Sequence, residues 1–124
     1  MRRLGRLALP LLVLLGCADA TGPVAGDEVR VQLTAVGATA RNGTPATAYY
    51  FVVERETAAL INWAGCTDPD HCPGIAPGAS VTIPYAQIYG WPGSGELIFY
   101  WWHLVPNGTG SYRMDSLHAV VATR

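Results

Sequence analysis

Histidine and serine side chains are the residues of this sequence that could carry out catalytic chemistry. His103 and His118 lie in separate β-prone segments and could become neighbours in a fold, and Ser94 lies in a Gly- and Pro-rich turn. A nucleophile elbow needs glycine two residues before its serine, whereas Pro92 occupies that position here. The sequence contains neither a phosphate-binding loop nor a dinucleotide-binding motif. We therefore predict that the protein is not an enzyme, has no catalytic residue and uses no cofactor.

The acidic and amide residues of the chain do not complete a catalytic site either. Asp115 precedes His118 closely but fits a turn that leads into a strand, and we expect Glu54 and Glu56 to share a solvated strand face. Asn42-Gly43-Thr44 matches a glycosylation sequon, as does the Asn107 segment. Because Asn and Gly favour turns, both segments are predicted to be turns.

The first 17 residues follow the order of a cleaved signal peptide. Three arginines precede an apolar run over 7–15, which is too short to cross a bilayer because a spanning helix needs about 20 apolar residues. The run ends in Leu14-Leu15-Gly16-Cys17, which resembles the lipobox of bacterial lipoproteins. The alternative is an ordinary secretory peptide with a chance cysteine.

The lipoprotein resemblance implies a cellular location and a membrane anchor for the protein. Residues 1–16 would be the signal peptide, and the thiol of Cys17 would be acylated after cleavage. Several acyl chains anchor a protein stably to a membrane. In that family, Ala18 in place of aspartate implies the outer membrane, facing the periplasm or the cell surface, if the host has two membranes. The small residues of 17–26 predict a flexible tether.

Two cysteines remain once Cys17 is assigned to the anchor. Cys66 and Cys72 form an even pair in what would be an oxidising compartment, which favours a disulfide. Asp68, Asp70 and His71 lie between them and could add metal ligands. Structural zinc sites, however, take four ligands from paired elements with shorter spacers. We therefore predict a disulfide and no metal site, with metal binding and a free dithiol as the alternatives.

The charge of the chain argues against one class of partner. Arg2, Arg3 and Arg6 account for three of the eight basic residues and belong to the leader, so acidic residues outnumber basic ones in the rest of the chain. Nucleic-acid-binding proteins carry a basic patch. We therefore expect no nucleic-acid partner.

Short β-prone segments separated by Gly/Pro loops fill the chain after residue 27. Apolar and polar residues alternate over 28–36, 47–55 is rich in aromatic and β-branched residues, and further strands are expected at 79–83, 96–105 and 117–123. Residues 54–63 include helix-forming residues but show no clear helical repeat, so we expect a turn near Glu56 and then a strand through Trp63. This pattern predicts an all-β fold, a small β-sandwich of about six to seven strands in one domain over 27–124. It loosely resembles small bacterial immunoglobulin-like domains, although the cysteine pair that bridges two sheets in that fold is missing.

The 96–105 segment is apolar on both of its faces. One face would enter the core, so the other needs a cover: the loops at 64–79 and 84–95, a partner protein or a ligand. If this face is exposed, Trp91, Tyr100 and Trp102 form a candidate binding patch, because large exposed apolar surfaces mark interaction sites.

Together these features predict a lipid-anchored cell-envelope module with a non-enzymatic binding or structural role. Its expected partners are the membrane, through the N-terminal lipid, and an envelope protein. The alternatives are a lipoprotein that binds carbohydrate or peptidoglycan through aromatic rings, and an inhibitor of envelope hydrolases.

Overall fold

The computed structural model of the protein describes residues 27–124. The predicted signal peptide (1–16) and the lipidated Cys17 with its tether (17–26) lie outside this range. In the described part of the chain, no helix is long and apolar enough to cross a membrane.

Residues 27–124 form seven strands and one α-helical turn, besides a 3₁₀ turn at Tyr85–Gln87. In chain order they are β1 (Val29–Leu33), β2 (Gly37–Asn42), β3 (Ala48–Glu54), α1 (Arg55–Ala58), β4 (Gly74–Ile75), β5 (Ser80–Pro84), β6 (Glu96–Pro106) and β7 (Tyr112–Thr123). The strands pair in antiparallel fashion in two sheets, with the orders β1-β2-β5 and β4-β3-β6-β7. The predicted small all-β sandwich is confirmed.

The core lies between the two sheets and follows the two-residue repeat of the strands. In β6, Leu97, Phe99 and Trp101 point inward and are buried. The facing sheet contributes Ala38 and Ala40 of β2, whose small side chains leave room for the large rings opposite. Burial of such rings supplies most of the stabilisation, at about 25 cal/mol for each Å² of apolar surface removed from water.

Strand order distinguishes this sandwich from the constant-type immunoglobulin arrangement. In that arrangement the fourth strand lies beside the fifth, whereas the two-residue β4 pairs with β3 here. The disulfide closes a loop between α1 and β4 instead of bridging the sheets. The resemblance to bacterial immunoglobulin-like domains stays a prediction.

Three local predictions need correction. The strand expected to continue through Trp63 is wrong, because α1 follows β3 directly and the chain then runs irregularly to β4. The sequence also missed β2, whose GATARN segment consists of small and polar residues with no strong strand signal. The last strand begins at Tyr112, five residues before the predicted start at Leu117, because pairing with β6 overrides local preference.

A buried asparagine joins the end of β2 to two other parts of the fold. The Asn42 side-chain amide donates to the carbonyl oxygens of Ala46 and Ile75, both at 2.8 Å, and its oxygen accepts from the N–H and hydroxyl of Thr44. All of its hydrogen-bonding capacity is therefore used inside the protein. The turn predicted at Asn42 is confirmed.

Candidate functional site

The outer face of β3 and β6 is covered by the irregular chain that follows α1. The Trp63 ring packs against Phe51 of β3 and Tyr100 of β6, with ring centroids 4.7 and 4.8 Å apart, and lies 5.9 Å from Trp102. The chain itself therefore supplies most of the cover that the apolar outer face requires.

A hydrogen bond and a disulfide fix this cover at its far end. Trp102 is 1% exposed, and its indole Nε1–H donates to the carbonyl oxygen of Cys66 at 3.0 Å. The Cys66 and Cys72 sulfurs are bonded at 1.98 Å, so the predicted disulfide is present. The loop that it closes is thereby held against the sheet.

A buried carboxylate fixes the other end of the cover. Glu54, the last residue of β3, accepts hydrogen bonds from the N–H groups of Glu56 and Thr57 and thus caps α1. It also accepts from the N–H and hydroxyl of Ser94, at 2.9 and 2.5 Å, in the loop before β6. These bonds, with the Ser94 hydroxyl first among them, hold the pKa of the Glu54 carboxyl far below its ordinary value.

The expectation that Glu54 is solvated is therefore wrong, whereas Glu56 is exposed. Glycine is needed in the loop that faces this network, because a Cβ at Gly93 would lie 2.4 Å from the Glu54 carboxyl carbon. The buried carboxylate and the glycine loop together define the start of the covering segment.

Between these two anchor points the chain leaves an apolar groove open to solvent. The groove has a volume of about 450 Å³ and is lined by Phe51, Ile61, Asn62, Trp63 and Tyr89. Tyr89 is 62% exposed, and Leu60, next to Ile61 in the chain, is 84% exposed. We use the name outer groove for this groove together with the neighbouring Leu60.

A smaller cleft of about 260 Å³ adjoins the outer groove and shares Phe51 and Tyr89 with it. It lies along the edge of β3 opposite to β6, in the part of that edge that the short β4 leaves unpaired. Tyr50 N–H donates to the Pro73 carbonyl at one end of this edge, and Glu54 N–H donates to the Tyr89 carbonyl at the other. By the alternation of an antiparallel strand, the N–H of Val52 points to the same edge. Within 27–124, no backbone carbonyl beyond the strand ladders accepts from it.

The three rings of the predicted patch do not share one exposed surface. Trp102 is buried and Tyr100 is half-buried beneath Trp63. Trp91 packs instead against the core between the sheets, where it stacks on Tyr85 with centroids 4.6 Å apart. Trp63, which sequence analysis had placed in a strand, occupies the position expected of a covering ring.

Other residues of the outer groove were also missed by sequence analysis. Leu60, Ile61 and Tyr89 lie in segments without a regular hydrophobic repeat. The one usable signal was indirect: a strand that is apolar on both faces requires a cover, and Trp63 is the aromatic residue nearest the disulfide loop.

The histidines and Ser94 hold structural positions. His103 Nε2 lies 2.9 Å from the Thr44 hydroxyl, which is also 2.6 Å from the Asn42 side-chain oxygen. His118 stacks on Trp101 with centroids 4.0 Å apart. Both histidines thus contact the Trp101 ring, and Ser94 is hydrogen-bonded to Glu54.

The disulfide loop carries a local hydrogen bond between a histidine and an aspartate. His71 Nδ1 lies 2.6 Å from an Asp68 oxygen, and this hydrogen bond is the main cause that lowers the pKa of the Asp68 carboxyl. Both side chains are exposed. Among residues 27–124, no group of three or more His, Cys, Asp or Glu side chains could hold a metal ion.

The outer groove is a largely apolar surface that the described residues leave open to a ligand, and contacts within 27–124 hold its walls in place. Comparison with protein-family models, with curated proteins and with solved structures finds no significant match.

Proposed function

We propose that the protein is a lipid-anchored module of a bacterial cell envelope, acylated at Cys17, that binds another envelope protein through the outer groove and performs no catalysis. The lipobox-like end of the leader supports the anchor. The structural hydrogen bonds of Ser94 and His103 support the non-enzymatic role, because each group is already committed to a partner within the fold.

The observation that carries the proposal is the exposure of aliphatic and aromatic side chains around a fixed groove. Leu60 and Tyr89 are exposed beside it, although burial of each would remove apolar surface from water. Their backbone is held by the Glu54 network and by the disulfide loop. A preformed surface binds more tightly because less conformational entropy is lost on association.

A protein fits this surface better than a small solute does. The adjoining cleft exposes the edge of β3, where the N–H of Val52 could donate a hydrogen bond to a main-chain carbonyl of a partner. An extended peptide segment could therefore place an apolar side chain beside Phe51 while its backbone bonds to the strand edge, as in strand addition. The aliphatic Leu60 and Ile61 suit such apolar side chains.

The groove is tested by cross-linking in intact cells of the host, followed by identification of the linked proteins. The variant Leu60→Ser/Tyr89→Ser alters two exposed side chains and leaves the core intact. Val36→Ser/Tyr112→Ser is a matched control, since it removes an exposed aliphatic and an exposed tyrosine elsewhere. We expect one specific partner to be lost from the groove variant only. Identical partners for all three proteins would refute the proposal.

The anchor is tested separately by metabolic labelling with a radioactive fatty acid. Cys17→Ser should abolish the label and release the protein from membranes, whereas the Cys66→Ser/Cys72→Ser variant should remain labelled. A labelled Cys17→Ser protein, or a soluble wild-type protein, would contradict the anchor without bearing on the groove.

Carbohydrate binding is a second candidate because three aromatic rings and an amide line the groove. Phe51, Trp63 and Tyr89 could stack on sugar rings while Asn62 bonds to hydroxyls. Titration with soluble peptidoglycan fragments would quench the fluorescence of Trp63 if this reading holds. A change that persists in Tyr89→Ser would argue against binding at the groove.

A further inference from the structure

The two sheets have four edge strands, and three of them carry features that discourage pairing with another chain. β4 has only two residues, and β5 is short and ends at Pro84. β1 carries the exposed Arg30, which pairs with Glu28. Short length, proline and charge are the means by which natural sheets protect their edges.

The fourth edge strand, β7, is protected over its first half only. Arg113 and Asp115 are exposed there. A bulge follows, in which the register shifts by one residue opposite Trp102 and Ser116 has a φ of 58°. Bulges also blunt an edge because they twist it away from a partner.

The second half of β7, which we call the 117–123 edge, has none of these features. Its seven residues, LHAVVAT, include no charge, proline or glycine. Leu117 and Val121 are 52% and 53% exposed. In the described part of the chain, the backbone of this segment pairs with β6 and makes no backbone bond on its other side. Half of its amide groups thus point away from β6.

We propose that the 117–123 edge pairs in antiparallel fashion with the same edge of a second copy of this chain. A two-fold axis at Val120 pairs the segments over their full length, with Leu117 opposite Thr123 of the second copy. The two four-stranded sheets then form one continuous sheet of eight strands. On its outer face, Val121 lies opposite Ala119 of the second copy and shields it from water.

The 117–123 edge has no charged residue, and for this reason a second copy of the chain is the favoured partner for it. A two-fold axis places identical segments together, so any charged residue would face or flank a like charge. The 117–123 edge avoids this conflict, and the bulge at Ser116 separates it from Arg113 and Asp115. Since each copy has one such edge, the assembly closes as a dimer and cannot extend into a fibre.

Analytical ultracentrifugation of the full chain in density-matched detergent tests the dimer. We expect a concentration-dependent mass of two chains for the wild type. Val121→Lys supplies the charge that the 117–123 edge lacks, and should weaken association at least about tenfold, a change of about 1.4 kcal/mol. Val36→Lys is the control, because Val36 is exposed at the β1–β2 turn, and its mass should match that of the wild type.

A charge-pair experiment tests the proposed two-fold pairing of the 117–123 edges. Val121→Lys and Val121→Glu should each be monomeric, and an equal mixture of the two should regain the mass of two chains because opposite charges then flank the two-fold axis. A monomeric wild type at its highest soluble concentration would overturn the proposal. So would a dimer that persists in Val121→Lys, or a mixture that stays monomeric. Circular dichroism of each variant confirms that it is folded.

Discussion

The carboxylate of Glu54 accepts two hydrogen bonds from Ser94, a residue 40 positions later in the chain. The same carboxylate caps α1 through the N–H groups of Glu56 and Thr57. One buried charge therefore holds together the end of β3, the first helical turn and the loop before β6. Since the outer groove begins just after α1, the position of Leu60 depends on this network.

The low pKa of Glu54 predicts an acid-sensitive fold. The pKa of its carboxyl is lowered in the folded protein, so ionisation stabilises the fold above the ordinary pKa of glutamate, about 4.3. This stabilisation is lost progressively as the pH falls below that value towards the lower folded-state pKa. We expect the midpoint of thermal unfolding to fall over this acid range.

Two variants isolate the contribution of Glu54 to the acid sensitivity. Glu54→Gln should lower the unfolding midpoint at neutral pH and flatten its dependence on acid. Glu56→Gln should leave both unchanged, because the Glu56 carboxylate is exposed and accepts no hydrogen bond from residues 27–124. Parallel pH profiles for Glu54→Gln and the wild type would show that other carboxyls dominate acid unfolding.

Loss of the disulfide should loosen the cover over Trp102. The Cys66–Cys72 bridge closes a loop of seven residues, which corresponds to about 2 kcal/mol of stabilisation in the chain-entropy model. The Cys66→Ser/Cys72→Ser variant should unfold at a lower urea concentration, and its tryptophan emission should shift to longer wavelength as Trp63 and Trp102 meet water. An unshifted spectrum would indicate that ring packing alone holds the loop.

Removal of the Asn42 side chain should be among the costliest single changes in the domain. Asn42→Ala leaves the carbonyl of Ile75 and the N–H of Thr44 without their side-chain partner, whereas the Ala46 carbonyl still accepts from the Thr44 hydroxyl. Each buried polar group left unpaired costs about 1–3 kcal/mol, so we expect a loss on the order of 3 kcal/mol in urea unfolding. Asn107→Ala, at an exposed turn with the same Asn-Gly-Thr sequence, is the control and should change stability little.

The sequence predicts the parts of the fold that depend on local pattern. The alternation around Val29 and Val31 identifies β1, and the cysteine spacing identifies the disulfide. A strand that is apolar on both faces also predicts that β6 needs a second cover. Each inference follows from the two-residue repeat or from the even pair of cysteines after residue 17, and none requires knowledge of tertiary contacts.

The candidate site depends on contacts that no local pattern encodes. The environment of Glu54 is set by Ser94 in a distant loop, so a residue expected on a solvated strand face becomes a buried acceptor. Trp63 has no regular element around it, and its place over Phe51 follows from the path of the disulfide loop. Trp102 had the character of a binding residue, but the same loop buries it.

The bulge in β7 allows a test of how much the left-handed backbone conformation of Ser116 costs in stability. Ser116 adopts a φ of 58°, in the left-handed region that costs a residue with a Cβ about 1–2 kcal/mol. Glycine takes this conformation freely but loses more entropy on folding. We therefore expect Ser116→Gly to stabilise the domain by about 0.5–1 kcal/mol, measured as a higher midpoint in urea without a change in slope.

The opposite change at Ser116 should have the opposite sign if the left-handed conformation is the cause. The side chain of Ser116 is exposed and makes no hydrogen bond within 27–124, so its replacement removes no contact. Ser116→Val introduces a β-branched residue, for which this region is least accessible, and should destabilise the domain. Ser116→Ala keeps the strain and should resemble the wild type. If glycine and valine shifted the midpoint in the same direction, the left-handed conformation of Ser116 would not be the cause of the change in stability.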